Sequence, residues 1–225
     1  MAVSLRKRAS GLLLHISSLP SRSGIGDFGS QAFRFIDMLE KSCQSYWQVL
    51  PLNPTIPSKA RSPYAPASAF AGNILFISPE LLYEDNLAGK EILDTRTGSV
   101  NNTGSGKVEF RTVEKNRKKI LDIAYEKFKS GFSASLKDDF DSFCLLNKKW
   151  LNDYAAFKAF HDFFLKNCKK KGWAYWPPPI RDRETEEIKI LAERLSDEIS
   201  KEKFCQFIFL RQWINLKKYA AEKNI

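Results

Sequence analysis

The spacing of apolar residues changes along the chain. Residues 11–16, Gly-Leu-Leu-Leu-His-Ile, form a continuous apolar run, followed by serines, Pro20 and Gly24. This predicts a buried strand and then a loop. From Ser30, a candidate cap, Phe33, Ile36 and Leu39, or Ala32, Phe35 and Leu39, return at helical spacing through residue 41. Tyr46-Trp47-Gln48-Val49-Leu50-Pro51-Leu52 reads as a second strand, stopped by Pro51 and Pro54. Strand, loop, helix and strand over about forty residues predict a βαβ unit of a parallel sheet.

The pattern then turns helical. Residues 53–72 contain four prolines and many small residues, and read as a loop. Residues 74–77 predict a short extended segment, and Leu81 to Leu87 a short helix. The stretch 94–107, rich in Thr, Gly, Ser and Asn, reads as a polar linker loop. Helices are expected over 111–129, 136–166 and 186–223, the last with a break near Ser200. Between the last two lies Trp173-Ala174-Tyr175-Trp176-Pro177-Pro178-Pro179, which cannot be helical throughout. Three regions follow: 1–93, 94–107 and 108–225. Strands of a parallel sheet want neighbours on both sides. Only two strong strands are evident, so this α/β pattern reads as a sheet interrupted before completion.

Composition excludes several classes. The 225 residues are 43% hydrophobic and 28% charged, which argues against wholesale disorder. The formal charge of +10 raises the question of a polyanion partner. The basic runs Arg6-Lys7-Arg8, Arg117-Lys118-Lys119 and Lys169-Lys170-Lys171 are short and separated, so they read as solvated patches and no nucleic-acid partner is expected. Cys43, Cys144, Cys168 and Cys205 form no C-x-x-C pair, and only His15 and His161 accompany them. Reduced, packed thiols are the simplest account. The run Leu12-Leu13-Leu14 is too short for a signal peptide, and nothing approaches the ~18 apolar residues of a membrane span. A soluble cytoplasmic protein without a membrane partner is expected.

No P-loop, G-x-S-x-G or H-E-x-x-H occurs. Gly24-Ile25-Gly26-Asp27-Phe28-Gly29 matches G-x-G-x-x-G, but residues 19–23 separate it from the strand, so the tight dinucleotide turn is missing. These glycines are read as shaping a loop, with Asp27 binding nearby backbone. Arg61-Ser62-Pro63-Tyr64 follows the second strand, and His15-Ile16-Ser17-Ser18 lies at the same end of the first. In parallel α/β folds that end builds the ligand site. A tyrosine ring with hydroxyls and an imidazole suits a sugar. A proline-rich loop that merely packs its tyrosine is the equal alternative. Asp138, Asp139 and Asp141, and likewise Glu184, Glu186 and Glu187, read as solvated helix faces.

Several motifs in order carry a more specific resemblance. They are Ser10-Gly11-Leu12-Leu13-Leu14-His15 with Ser18-Leu19-Pro20; Gly24-Ile25-Gly26-Asp27 with Gly29; Tyr46 to Leu52 with Pro54-Thr55; and Ser62-Pro63-Tyr64 with Ser68-Ala69-Phe70-Ala71-Gly72-Asn73. Weaker similarity continues through Trp150-Leu151-Asn152-Asp153-Tyr154, Trp176-Pro177 and Phe209-Leu210-Arg211-Gln212-Trp213. In these the chain resembles the 4-α-glucanotransferases, glycoside hydrolase family 77, over essentially its whole length.

The resemblance implies the beginning of a (β/α)8 TIM barrel, its first two strands followed by a largely helical insertion leading toward the third. It implies transfer of an α-1,4-glucan segment to the 4-hydroxyl of another glucan by a retaining double displacement, without metal or organic cofactor. Ser62 and Tyr64 match a family Ser-Pro-Tyr that contacts glucan, with 53–72 as the substrate loop. His15, Trp47 and Asn73 match family motifs and are expected to shape the site. No position matches the family's catalytic carboxylates, so this chain alone is expected to be inactive, and a separate carboxyl-terminal half is a candidate partner. Arg61 stands where the family usually has Asp, Ala65 where Gln is common, and Asn53 where Gly is usual.

Overall fold

A computed structural model describes residues 8–93, 108–131, 133–168 and 172–225. The expected linker loop 94–107 and the basic run 169–171 lie outside the described residues. The sheet comes from the earliest apolar run. Strand β1 (Gly11–Leu13) pairs in parallel with β2 (Tyr46–Gln48), in the register Gly11↔Tyr46, Leu12↔Trp47 and Leu13↔Gln48. Helix α1 (Ser30–Lys41) connects them and buries Ala32, Ile36 and Leu39, the stripe its spacing predicts. This is the expected βαβ unit. Its outer surface is open: Leu12 and Tyr46 are exposed, and Leu13 is 58% exposed.

The structure corrects several local expectations. Both strands are shorter than their apolar runs. Residues 16–18 turn into a 3-10 helix, closed by the Ser18 N–H on the His15 carbonyl at 2.9 Å. The last rung of the sheet is the Leu14 N–H on the Gln48 carbonyl. Ser30 is the first helical residue and not the cap. The cap is Gly29, and the Ser30 N–H is taken by Glu80 at 3.1 Å. Residues 74–77 are not extended: Ile74–Phe76 is another 3-10 turn, because the Asn73 side chain accepts the Leu75 N–H at 3.1 Å. A short apolar run does not discriminate between these conformations.

The helices are α2 (Pro79–Glu84), α3 (Phe110–Lys129), α4 (Ala134–Cys168), α5 (Pro178–Arg181), α6 (Thr185–Arg194) and α7 (Ser196–Glu222). The break expected near Ser200 falls at Leu195, between α6 and α7. The described residues are mostly helical, with one parallel strand pair. None of their helices is long and apolar enough to cross a membrane. The fold divides into two units: Met1–Phe132 with Ile208–Ile225, and Ser133–Phe207. The helical stretch 108–225 is thus distributed over both.

In the first unit, Phe28 is fully buried and touches the rings of Phe76, Phe209 and Trp213, with centroids 5.2–6.1 Å away. Gly72 lies so close to the Phe209 ring that a Cβ there would overlap it. Long-range polar bonds reinforce this packing. Gln212 accepts the buried Ser78 N–H at 2.7 Å, Arg211 pairs with Asp85, and the Tyr219 hydroxyl donates to Asp37 at 2.5 Å.

The second unit is built around Trp176, stacked among Phe157, Phe160 and Phe164 of α4 with centroids 5.2–6.4 Å away. Ile180, Leu191 and Leu195 complete this core. On another stretch of α4, Phe140 and Phe143 pack on Phe207, each 5.7 Å between centroids. Glu202 of α7 accepts from Gln206 at 3.0 Å, and the charges of Lys158, Asp162 and Lys201 act on it. Desolvation raises the Glu202 pKa, and burial with the Glu202 charge raises that of Tyr154. A carboxyl whose folded pKa is raised contributes full stability below its unfolded value of about 4.3 and loses it as pH climbs through the folded value. Glu202→Gln keeps the acceptor and abolishes the titration. Urea unfolding of this variant from pH 4 to pH 8 should therefore show a gain over the parent that grows with pH. Parallel pH profiles would refute a desolvated Glu202.

Candidate functional site

The loop from residue 53 to 72 is closed at its base. The Asn73 N–H bonds the Leu52 carbonyl at 2.8 Å, and the Asn53 amide donates to the Ala71 carbonyl at 3.0 Å. Thr55 and Pro66 form an antiparallel bridge beside the Ala67 N–H on the Pro54 carbonyl at 2.9 Å. These bonds hold the two ends of the segment together. Inside it, the 3-10 turn Pro57–Lys59 runs into two left-handed residues, Ala60 at φ 51° and Arg61 at φ 54°. The Ser62 N–H then returns to the Lys59 carbonyl at 3.1 Å, and the Ser62 hydroxyl accepts the Tyr64 N–H at 3.3 Å.

This turn leaves Ser62 half-buried and Tyr64 73% exposed. Phe70 is equally exposed and is the second presented ring of the loop. Sequence reasoning missed it as a site residue, although it lay inside a motif that pointed here. Exposed aromatic faces beside hydroxyls can stack on the C–H face of a sugar and bond its hydroxyls.

Trp47, His15 and Asn73 sit in the framework beneath. The Trp47 indole donates to the Leu14 carbonyl at 2.8 Å and packs on Phe35 at 4.8 Å, tying β2 to the end of β1. His15 stands edge-on to Phe76 at 5.3 Å. Burial lowers its pKa and so favours the neutral ring, and its buried Nδ1 has no hydrogen-bond partner among the described residues. Asn73 spends its side-chain oxygen as a cap and its N–H on the loop base. The structure thus brings Ser62 and Tyr64 together on one turn, uses Asn73 at the base of their loop, and places Trp47 against β1 and α1.

A separate cleft of about 90 Å3 has a mixed lining that includes Ser23, Asp27, Asn116 and Arg117 beside Ile92 and Val113. None of the five expected site residues lines it. Asp27 accepts the Gly29 N–H at 2.9 Å and the Ser23 hydroxyl at 2.8 Å. The expectation that Asp27 binds nearby backbone is therefore met. Arg117, read as part of a solvated basic run, is instead 2% exposed. It faces Asp27 at 3.4 Å, bonds Ser23 at 2.9 Å and donates to the Ile77 carbonyl. Burial pushes the Asp27 carboxyl up and the Arg117 guanidinium down, and each charge opposes the shift of the other. The signal was available, since Val113, Arg117, Ile120, Leu121 and Ala124 share the buried face of α3. Its loss from the surface also weakens the reading of a polyanion patch.

Comparison with known proteins decides the affiliation. Residues 14–225 match the family model described as 4-alpha-glucanotransferase. The chain belongs to this family. It is 38% identical over 221 residues to the 4-alpha-glucanotransferase of Synechocystis sp., covering 98% of this chain and 42% of that one. It is 40% identical over 216 residues to that of Clostridium butyricum, covering 94% and 41%. The structure superposes on the amylomaltase from Streptococcus agalactiae in complex with acarbose with a TM-score of 0.86 at 32% identity, covering 97% of this chain and 42% of that chain. The chain thus spans about two fifths of the length of the family members it matches.

Glycosyl transfer with retention requires two carboxylates about 5–5.5 Å apart. Asp138, Asp139 and Asp141 of α4 are exposed, as are Glu184, Glu186 and Glu187, so both clusters are the solvated faces expected. Among the described residues no group of three His, Cys, Asp or Glu could hold a metal ion.

Proposed function

We propose that this chain supplies the glucan-binding beginning of a 4-α-glucanotransferase barrel. In this reading β1 and β2 are the first two barrel strands, 53–72 is the substrate loop, and Ser62 and Tyr64 touch the glucan. His15, Trp47 and Asn73 shape the floor below. The observation that carries the reading is the pinned turn that presents Tyr64 next to Ser62. The nucleophile, the acid/base and the transition-state stabiliser belong to polypeptide that this chain does not match. The complete enzyme would form a covalent glycosyl intermediate and resolve it with a glucan 4-hydroxyl in place of water. The reading places the protein in the cytoplasm and gives it α-1,4-glucans as partners, together with the carboxyl-terminal part of the fold.

The test uses the 225-residue chain with maltotriose for turnover and maltoheptaose for binding. The expected result is measurable binding without glucose or longer maltodextrins. Tyr64→Ala should weaken maltoheptaose binding about tenfold, the equivalent of about 1.4 kcal/mol for one stacking ring. Disproportionation by the chain alone would overturn the assignment of the catalytic groups elsewhere. Unchanged affinity in Tyr64→Ala would remove Tyr64 from the site.

A further inference from the structure

Arg61 is gripped by a single helix. Its guanidinium donates to the Glu114 carboxylate at 2.6 Å and lies 4.4 Å from the centroid of the Phe110 ring. Its side chain is only 15% exposed. Phe110, Glu114 and Arg117 are spaced four and three residues apart, so they line one face of α3. The lower end of that stripe is fixed in the protein by the ion pair of Arg117 with Asp27 and its bond to the Ile77 carbonyl. The upper end reaches the loop at the residue just before Ser62.

The backbone explains why such a grip is needed. Ala60 and Arg61 both adopt left-handed φ without being glycine. Non-glycine residues are unfavourable there and persist only where surrounding contacts over-determine them. The Arg61 N–H on the Ile56 carbonyl at 3.1 Å is one such contact, and the ion pair and ring contact of its side chain are the others.

We infer that Arg61 is a positioning residue: held by Glu114 and Phe110 of α3, it fixes the left-handed turn that presents Ser62 and Tyr64. Its effect on affinity rests on the reading of those two residues as glucan contacts; its effect on the turn does not. Loop order in this chain is therefore set by a helix distant in sequence.

Amide hydrogen exchange and maltoheptaose titration of the 225-residue chain test this together. Arg61→Ala should speed exchange at the Ser62, Tyr64 and Ala65 amides by on the order of fivefold, the size of a part-buried ion pair with a ring contact. Exchange in α1 and α4 should stay unchanged, and maltoheptaose should bind correspondingly more weakly. Arg61→Lys keeps the charge but not the planar group, and should fall between parent and Arg61→Ala. The exchanged pair Arg61→Glu with Glu114→Arg restores the ion pair but not the ring contact, and should recover part of the loop protection. Unchanged loop exchange in Arg61→Ala, or a uniform rise across the chain, would overturn the inference. If the parent fails to bind maltoheptaose, the glucan reading falls, while loop exchange still decides the role of Arg61.

Discussion

Asp27→Ala should destabilise the first unit by about 3–5 kcal/mol, because it strands a buried guanidinium. Arg117 is nearly inaccessible and its carbonyl and hydroxyl partners are neutral, so among the described residues Asp27 is the opposite charge that faces it. The same substitution leaves the Gly29 N–H at the start of α1 and the Ser23 hydroxyl without their carboxylate. Asp27→Asn preserves the shape and the acceptor for the Gly29 N–H, but sets an NH2 where the second oxygen faces Ser23 and Arg117, so it should recover only part of the loss. The revealing variant is the double replacement Asp27→Ala with Arg117→Met. A buried pair exchanged for apolar groups is often close to neutral, so the double variant should be more stable than Asp27→Ala alone. Urea unfolding followed by the fluorescence of Trp213, which packs on Phe28 in this unit, measures all three. A loss under about 1 kcal/mol in Asp27→Ala would mean that water reaches Arg117 freely.

In the second unit the largest effect is expected at Trp176. Truncation to alanine removes the ring that Phe157, Phe160 and Phe164 surround, at about 3–5 kcal/mol. The indole also buries an Nε1 without a hydrogen-bond partner among the described residues. Trp176→Phe therefore trades a small cavity for relief of an unsatisfied donor, and should cost only about 1 kcal/mol. Exchange of the amides of α4 and α6 reports on this unit separately from the first. Equal losses in the two variants would show that the indole N–H is satisfied, contrary to the structure.

How much of this was legible in the sequence depends on the range of the interaction. The α1 stripe was plain because periodicity is local, and the βαβ order followed from two apolar runs flanking it. The turn at residues 62–64 was singled out by the family resemblance, since its residues alone suited a sugar contact and a merely packed proline-rich loop equally. Phe70 was hidden by its apolar character, and Arg61 by the fact that its meaning depends on Glu114, 53 residues away. Arg117 was misread because a basic run on a helix divides between two faces, and only Lys118 and Lys119 point to solvent. Residues 74–77 were misread as extended because their conformation is decided by the Asn73 cap, not by their own apolarity. The bonds of Ser78 to Gln212, Asp85 to Arg211 and Asp37 to Tyr219 span 126 to 182 residues, and no local pattern announces them.

Those last bonds bear on how the protein is born. The segment Ile208–Ile225 completes the first unit, yet the ribosome makes it only after all of Ser133–Phe207. At about 5–20 residues per second, those roughly 75 residues delay its arrival by about 4–15 s. Throughout that interval Phe28 lacks Phe209 and Trp213, and the Ser78 N–H lacks Gln212. The unit begun first is thus finished last, and a nascent chain stalled within α4 presents chaperones with an open aromatic cluster.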